Sequence, residues 1–201
     1  MKTPKLTKIL EIITANLLDE NIPFAAIGAI ALGIYGLPRY TSDIDLLTEG
    51  RFSDRIHEIM NRLGYTCFQK TGMFAQFDSE MGVLGRIDLM FVGTQDGKDM
   101  LNRCSYIRDE IWGRVPVVQP TDYIILKLMA IANNPDRTGG DERDIVALLE
   151  CCREDVLPNN FEPLQQDRLI RFAEKFKQKH LIQQLLENTY HVKSQTDDFS
   201  L

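Results

Sequence analysis

"RYTSDIDLLTEG", residues 39–50, sets two aspartates, Asp43 and Asp45, one residue apart inside an otherwise apolar run. From Ser42 to Thr48 the chain alternates, with Asp43, Asp45 and Leu47 on one side and Ile44, Leu46 and Thr48 on the other, which predicts a strand. Both carboxylates then share a face, roughly 7 Å apart at the backbone. "GRIDLMFV", residues 85–92, repeats the pattern, with Arg86, Asp88 and Met90 against Ile87, Leu89 and Phe91. Where two such strands pair or neighbour one another, three carboxylates meet. Like charges about 4 Å apart repel by about 1 kcal/mol in water and several-fold more in a drier cleft, so the trio calls for a cation. Oxygen-only ligation, without His or Cys nearby in sequence, favours magnesium or manganese over zinc.

Upstream, "PFAAIG" (23–28) reads as a short buried strand ending at Gly28, and Ala29 to Tyr35 as a helix of small and apolar residues that breaks at Gly36 and Pro38. A glycine at such a corner lets an anion approach the backbone, and the helix behind it presents N–H groups. Ions held by few carboxylates keep positions open for phosphates, and two of them clamp the attacking and leaving oxygens of a phosphoryl displacement. Gly28 and Ala29 are therefore candidate triphosphate contacts, to which Arg39 adds charge and Thr41 a hydroxyl. Lys127, in the apolar helix "IILKLMAIA", is divided between snorkelling to solvent and reaching a triphosphate.

At these residues the chain resembles a known family. "IGA", a spacer "IALGIYGLPRYTS", then "DIDL" is similar to the signature of the polymerase-beta-like nucleotidyltransferase superfamily, and "GRIDLMFV" to its third-carboxylate strand. "ALGIYGLPRYTSDIDLL" resembles the minimal nucleotidyltransferases related to bacterial AbiEii toxins, as do "VPVVQPTDYIILKLMA" and "DERDIVALLE" further on. The resemblance covers roughly residues 24 to 150. It implies an α+β fold, a mixed sheet flanked by helices. It also implies transfer of a nucleoside monophosphate from an NTP substrate to an acceptor hydroxyl of tRNA, protein or a small molecule, with release of pyrophosphate and a possible place in a toxin–antitoxin or phage-defence system. On that reading Asp43, Asp45 and Asp88 are catalytic and bind the metals, Asp88 handles the acceptor proton, and Gly28 lines the triphosphate pocket. One departure stands out: Ala29 occupies a position where the family prefers Gly or Ser.

The remainder of the 201-residue chain bounds the architecture. Leu6, Ile9, Leu10, Ile13 and Leu17 recur at helical spacing. "SDRIHEIMNRLG" predicts a helix capped by Ser53 and stopped at Gly64, and "YTCFQK" with "MFAQFD" a hairpin. "GRVPVVQP" predicts an edge strand or linker, because Pro116 cannot donate to a central ladder. Helices follow at "TDYIILKLMAIA", "DERDIVALLECC", "PLQQDRLIRFAEKFKQK" and "LIQQLLENTY", with Asp141 and Asp144 read as favouring a helix N-terminus. The organisation expected is a nucleotidyltransferase domain over 1–119, a helical region over 120–190 walling the nucleotide cleft, and a disordered polar tail over 191–201.

A net charge of -6 means that any nucleic-acid contact is a local patch. Arg51, Arg55 and Arg62 could form one, but Asp54 and Glu58 intersperse them, and a solvated mixed-charge face is the simpler reading. The four cysteines show neither zinc spacing nor disulfide density, and no apolar run suits a membrane, so a cytoplasmic setting is expected. The three histidines have no partners at ligand spacing. Two rivals to the enzyme remain. A catalytically degenerate regulatory or antitoxin-like binding module is suggested by Ala29 and opposed by the intact trio. A dinucleotide-binding oxidoreductase lacks its glycine fingerprint, since "GAIALG" puts Ile30 at the second glycine.

Overall fold

The computed structural model describes residues 6–79 and 84–191. The expected tail, past His191, therefore lies outside the described residues. The chain divides into two compact units, one ending at Gln119 and the other beginning at Pro120.

The first unit contains α1 (Leu6–Asp19), β1 (Phe24–Ala26), α2 (Gly28–Ile34), β2 (Asp43–Glu49), α3 (Ser53–Arg62), β3 (Tyr65–Lys70), β4 (Phe74–Ser79), β5 (Arg86–Val92), α4 (Gln95–Asn102), β6 (Ser105–Asp109) and β7 (Gly113–Val117). The seven strands form one mixed sheet in the order β3-β4-β5-β2-β1-β7-β6. β2 and β5 run parallel, while β1 is antiparallel to β2 and parallel to β7. Ile44, Leu46, Ile87, Leu89, Ala75 and Phe77 are buried. α3 packs over this apolar face, with the His57 ring 5.7 Å from that of Phe77. On the other face Asp43, Asp45 and Asp88 are half-buried.

The expected helices and the hairpin form, with three differences. Ser53 does not cap α3; it is the helix's first residue, because a 3-10 turn at Gly50–Phe52 leads directly into it. α4 and β6 fall in a stretch without clear periodicity; Thr94 caps α4 by accepting a hydrogen bond from the Gly97 amide at 3.3 Å. β7 is interior, not an edge. β6 takes the edge, and Pro116 lies opposite Tyr106. The β1–β7 ladder is one residue pair long, Ala26↔Val117, so the N–H that Pro116 lacks interrupts almost no pairing there.

The second unit is helical: α5 (Pro120–Asn133), α6 (Thr138–Arg153), α7 (Gln166–Lys175) and α8 (Lys179–His191). Ile124, Ile125, Leu128, Ile145, Leu148, Leu149, Leu169 and Ile182 fill its core. The fully buried Asp122 pairs with Arg168, a charge that would be costly to bury alone. Among the described residues no helix is long and apolar enough to cross a membrane, and all four cysteines are free thiols. Burial and the neighbouring Cys151 push the Cys152 thiol up to about 12, which disfavours its thiolate.

Gly97 tests the packing of α4 on the sheet. A Cβ there would stand 2.7 Å from Val92 Cγ1, and overpacking of about 1–3 kcal/mol outweighs the helix propensity gained, about 1 kcal/mol at most. Gly97→Ala is therefore expected to lower the thermal midpoint by a few degrees in a calorimetric scan, although the same change stabilises most helices.

Candidate functional site

The site grows from the register of two strands. β2 and β5 pair in parallel without a slip, Asp43↔Arg86 through Glu49↔Val92, so Asp45 lies directly beside Asp88. Residues paired across a ladder point to the same face, and Asp43, two residues before Asp45, points there too. The backbone thus brings together the three carboxylates expected from the sequence. β4 adds a fourth polar group: Gln76 is the register partner of Asp88, and its Nε2 donates to Asp88 Oδ2 at 3.0 Å. Sequence reading had no signal for Gln76, because a lone glutamine in a hairpin strand carries none.

Gly28 closes the other flank. It follows β1, the neighbour of β2 on the side away from β5, and the Ile27 amide donates to the Asp45 carbonyl at 3.0 Å. Gly28 has φ +59°, and a Cβ there would lie 2.7 Å from Asp45 Cγ. The glycine is therefore required twice, by its left-handed backbone and by the carboxylate packed against it. Gly28 is half-exposed, whereas Ala29 is buried at 4% exposure, so the part of the corner open to an anion is Gly28.

The other expected phosphate contacts are placed differently. Thr41 Oγ1 donates to the Asp43 carbonyl at 3.0 Å and accepts from the Asp43 amide at 3.1 Å, which fixes the start of β2 and with it Asp43. Arg39 is exposed on the segment before β2. In the second unit, Lys127 Nζ donates to Asp141 Oδ1 and Asp144 Oδ2, both at 2.6 Å, and Arg137 Nε donates to Asp141 Oδ2 at 3.1 Å. Lys127 is 8% and Asp141 4% exposed, so Asp141 and Asp144 do more than favour a helix end: they neutralise a buried ammonium. Arg55 makes a two-pronged pair with Glu20 and also holds Glu58, Arg62 reaches Glu20, and Arg51 pairs with Glu49. The Arg55 and Arg62 guanidiniums hold the Glu20 carboxyl below the usual range against the opposing effect of burial. This is the solvated mixed-charge face expected, and not an open basic patch.

The donor set suits a hard divalent cation, being three carboxylates on one half-buried face. Their side chains are not gathered as a cage: among the described residues no three His, Cys, Asp or Glu groups are arranged to hold a metal ion. Asp43 Oδ1 accepts from Ser42 Oγ at 2.9 Å and Asp88 from Gln76, while Asp45 packs against Gly28. A cavity of about 290 Å³ lined by Thr7, Glu11, Trp112 and Arg114 includes none of these residues.

Comparison with known proteins places the fold. No family model matches the chain, and no curated protein matches it in sequence. Solved structures do. The antibiotic-resistance factor ANT(2'')-Ia aligns over 92% of this chain and 96% of its own, with a TM-score of 0.61 and 13% identity. An antigenic nucleotidyltransferase-like protein from Paracoccidioides brasiliensis aligns over 93% and 97%, with a TM-score of 0.53 and 16% identity. The lincomycin-bound lincosamide antibiotic adenylyltransferase LnuA aligns over 70% and 94%, with a TM-score of 0.51 and 14% identity. The chain has the α+β nucleotidyltransferase fold, as the sequence pattern implied.

Two substitutions separate the site from the scaffold. Gly28→Ala strains the left-handed backbone by about 1–3 kcal/mol and drives Asp45 from its place, so it lowers both the unfolding midpoint and any divalent-ion affinity read by calorimetry. Lys127→Met leaves two carboxylates without their shared cation, and chemical denaturation is expected to show a loss of about 3 kcal/mol.

Proposed function

We propose that the protein is a nucleotidyltransferase that moves a nucleoside monophosphate from an NTP to an acceptor hydroxyl. The observation that carries this reading is the in-register adjacency of Asp45 and Asp88, with Asp43 on the same face and Gly28 against Asp45. The acceptor oxygen bonds to the α-phosphorus, the bond from that phosphorus to the bridging oxygen breaks, pyrophosphate leaves, and the hydroxyl proton is released. Asp43, Asp45 and Asp88 would hold Mg2+ or Mn2+, which when bound neutralises charge on the phosphate oxygens and lowers the barrier electrostatically. The chain's own residues supply position. Gly28 gives the triphosphate close approach to the backbone, and Thr41 holds Asp43 at the strand start. Gln76 fixes the orientation of Asp88, the carboxylate on the acceptor flank that takes up the proton.

Similar structures support the class of chemistry. One carries adenylyl-2''-tobramycin in ANT(2'')-Ia, with a TM-score of 0.61, 12% identity, and alignment over 88% of this chain and 99% of that one. The finer assignment, an AbiEii-type transferase of a toxin–antitoxin or phage-defence system, rests on the order of motifs around "RYTSDIDLL". The degenerate-module reading rests on Ala29, whose burial removes it from the open corner, so the lost hydroxyl weighs less against catalysis.

The test is incubation with each labelled NTP, Mg2+ or Mn2+ and a cell extract. Wild type is expected to transfer label, and Asp43→Asn, Asp45→Asn and Asp88→Asn to transfer at least about 100-fold less. Equal labelling by wild type and variants, or no NTP binding by either, would leave the noncatalytic module as the function.

A further inference from the structure

The carboxylate face continues past Asp88 across β5, β4 and β3, all in the first unit. It is not apolar there. Arg86, the register partner of Asp43, is exposed, and its guanidinium lies over the Phe68 ring at 5.3 Å from the centroid. Phe68 is 52% exposed, so a ring face beside the acids is open to solvent. The register of β3 on β4 slips between Cys67 and Gln69, so that one extra residue is inserted and Gln69 faces Gln76, itself opposite Asp88. This bulge turns both Phe68 and Gln69 toward the carboxylate side. Among the described residues no carboxylate pairs with Arg86.

We infer that this side of the sheet is an acceptor platform for the 3′ end of a single-stranded RNA, with a base stacked on Phe68 and a phosphate held by Arg86. The inference rests on the nucleotidyl-transfer reading and deepens it. Gly28 lies on the β1 flank of the acids and Gln76, Arg86 and Phe68 on the β5–β4–β3 flank, so triphosphate and acceptor would approach from opposite sides, as displacement in line requires. β3 lies two strand spacings from β5, about 10 Å, a distance that a sugar and its base span. An exposed aromatic ring beside an arginine fits a nucleotide, which brings a planar base and an anion together. The glutamines at 69 and 76 offer hydrogen bonds to the sugar or base edge. With a chain charge of -6, the contact is short and local.

The experiment is fluorescence anisotropy with a 5′-labelled single-stranded RNA of about ten nucleotides, with chelator present and no NTP, so that binding is read without turnover. Phe68→Ala and Arg86→Ala are each expected to weaken binding about tenfold, and Arg86→Lys to restore part of it. Arg86→Ala is further expected to make the dependence of log K on log salt shallower by about 0.7, the mark of one lost phosphate contact. Tyr106→Ala serves as control, removing a similar aromatic–arginine pair with Arg114 at the opposite edge of the sheet; it should leave binding unchanged. Thermal midpoints of the variants report folding. Asp43→Asn should lose transfer yet retain RNA, which separates the platform from the chemistry. The platform is overturned if Phe68→Ala and Arg86→Ala bind as wild type does, or if wild type ignores RNA while transferring label to another acceptor in an Asp43-dependent manner. The second result would leave the transferase reading standing.

Discussion

The parallel pairing of β2 with β5 is the constraint on which the site depends. Side chains alternate with a period of two, so a slip of one residue would turn Asp88 into the layer of Leu89 and Phe77 and bring Ile87 or Leu89 beside Asp45. That slip would bury a carboxylate and expose a large aliphatic chain. Each change is unfavourable by kcal/mol rather than tenths, so the hydrophobic pattern itself locks the register. The arrangement of the three carboxylates is thus held by the same apolar contacts that hold the sheet. The parallel arrangement needs a long crossover, and the chain supplies it with α3, β3 and β4 before returning as β5. The hairpin in that crossover is what extends the carboxylate face beyond Asp88.

Around this pair, the chain places small and local devices, each with one task. Gly28 accepts a backbone conformation and a packed carboxylate that no other residue would tolerate. Thr41 ties its hydroxyl to both backbone groups of Asp43. Gln76 gives Asp88 a neutral donor, which orients the carboxylate without adding a competing charge. Cationic side chains elsewhere are mostly committed: Arg55 and Arg62 to Glu20, Lys127 to Asp141 and Asp144, Arg168 to Asp122. Arg86 differs in being stacked on an exposed ring beside the acids, and this contrast singles out its face of the sheet.

Much was legible in the sequence because it is written in short-range order. The alternation in "SDIDLLT" and "GRIDLMFV" predicts two strands and the side on which Asp43, Asp45 and Asp88 stand. The glycine before a run of small apolar residues marks the corner at Gly28, and helical spacing marks α1, α3 and the four helices after Pro120. α4 and β6 escaped, since α4 is short and mostly polar and β6 alternates over five residues only. The edge position expected for Pro116 failed for a related reason. Proline forbids a donor, yet whether a donor is needed depends on how many residues the neighbouring strand offers, and β1 offers one pair.

What the sequence determined by itself, then, was which residues alternate, which turn, and which acids share the face of a single strand, because those follow from the period of the backbone over a few residues. Only the tertiary structure decided that Asp88 stands beside Asp45 and not merely on a similar strand, that Gln76 reaches it, that Lys127 spends its charge on Asp141 and Asp144, and that a bulge turns Phe68 toward Arg86. These are matters of register and packing between segments far apart in the chain. They are fixed by the burial of whole faces against one another, a sum over many side chains that no short window of sequence contains.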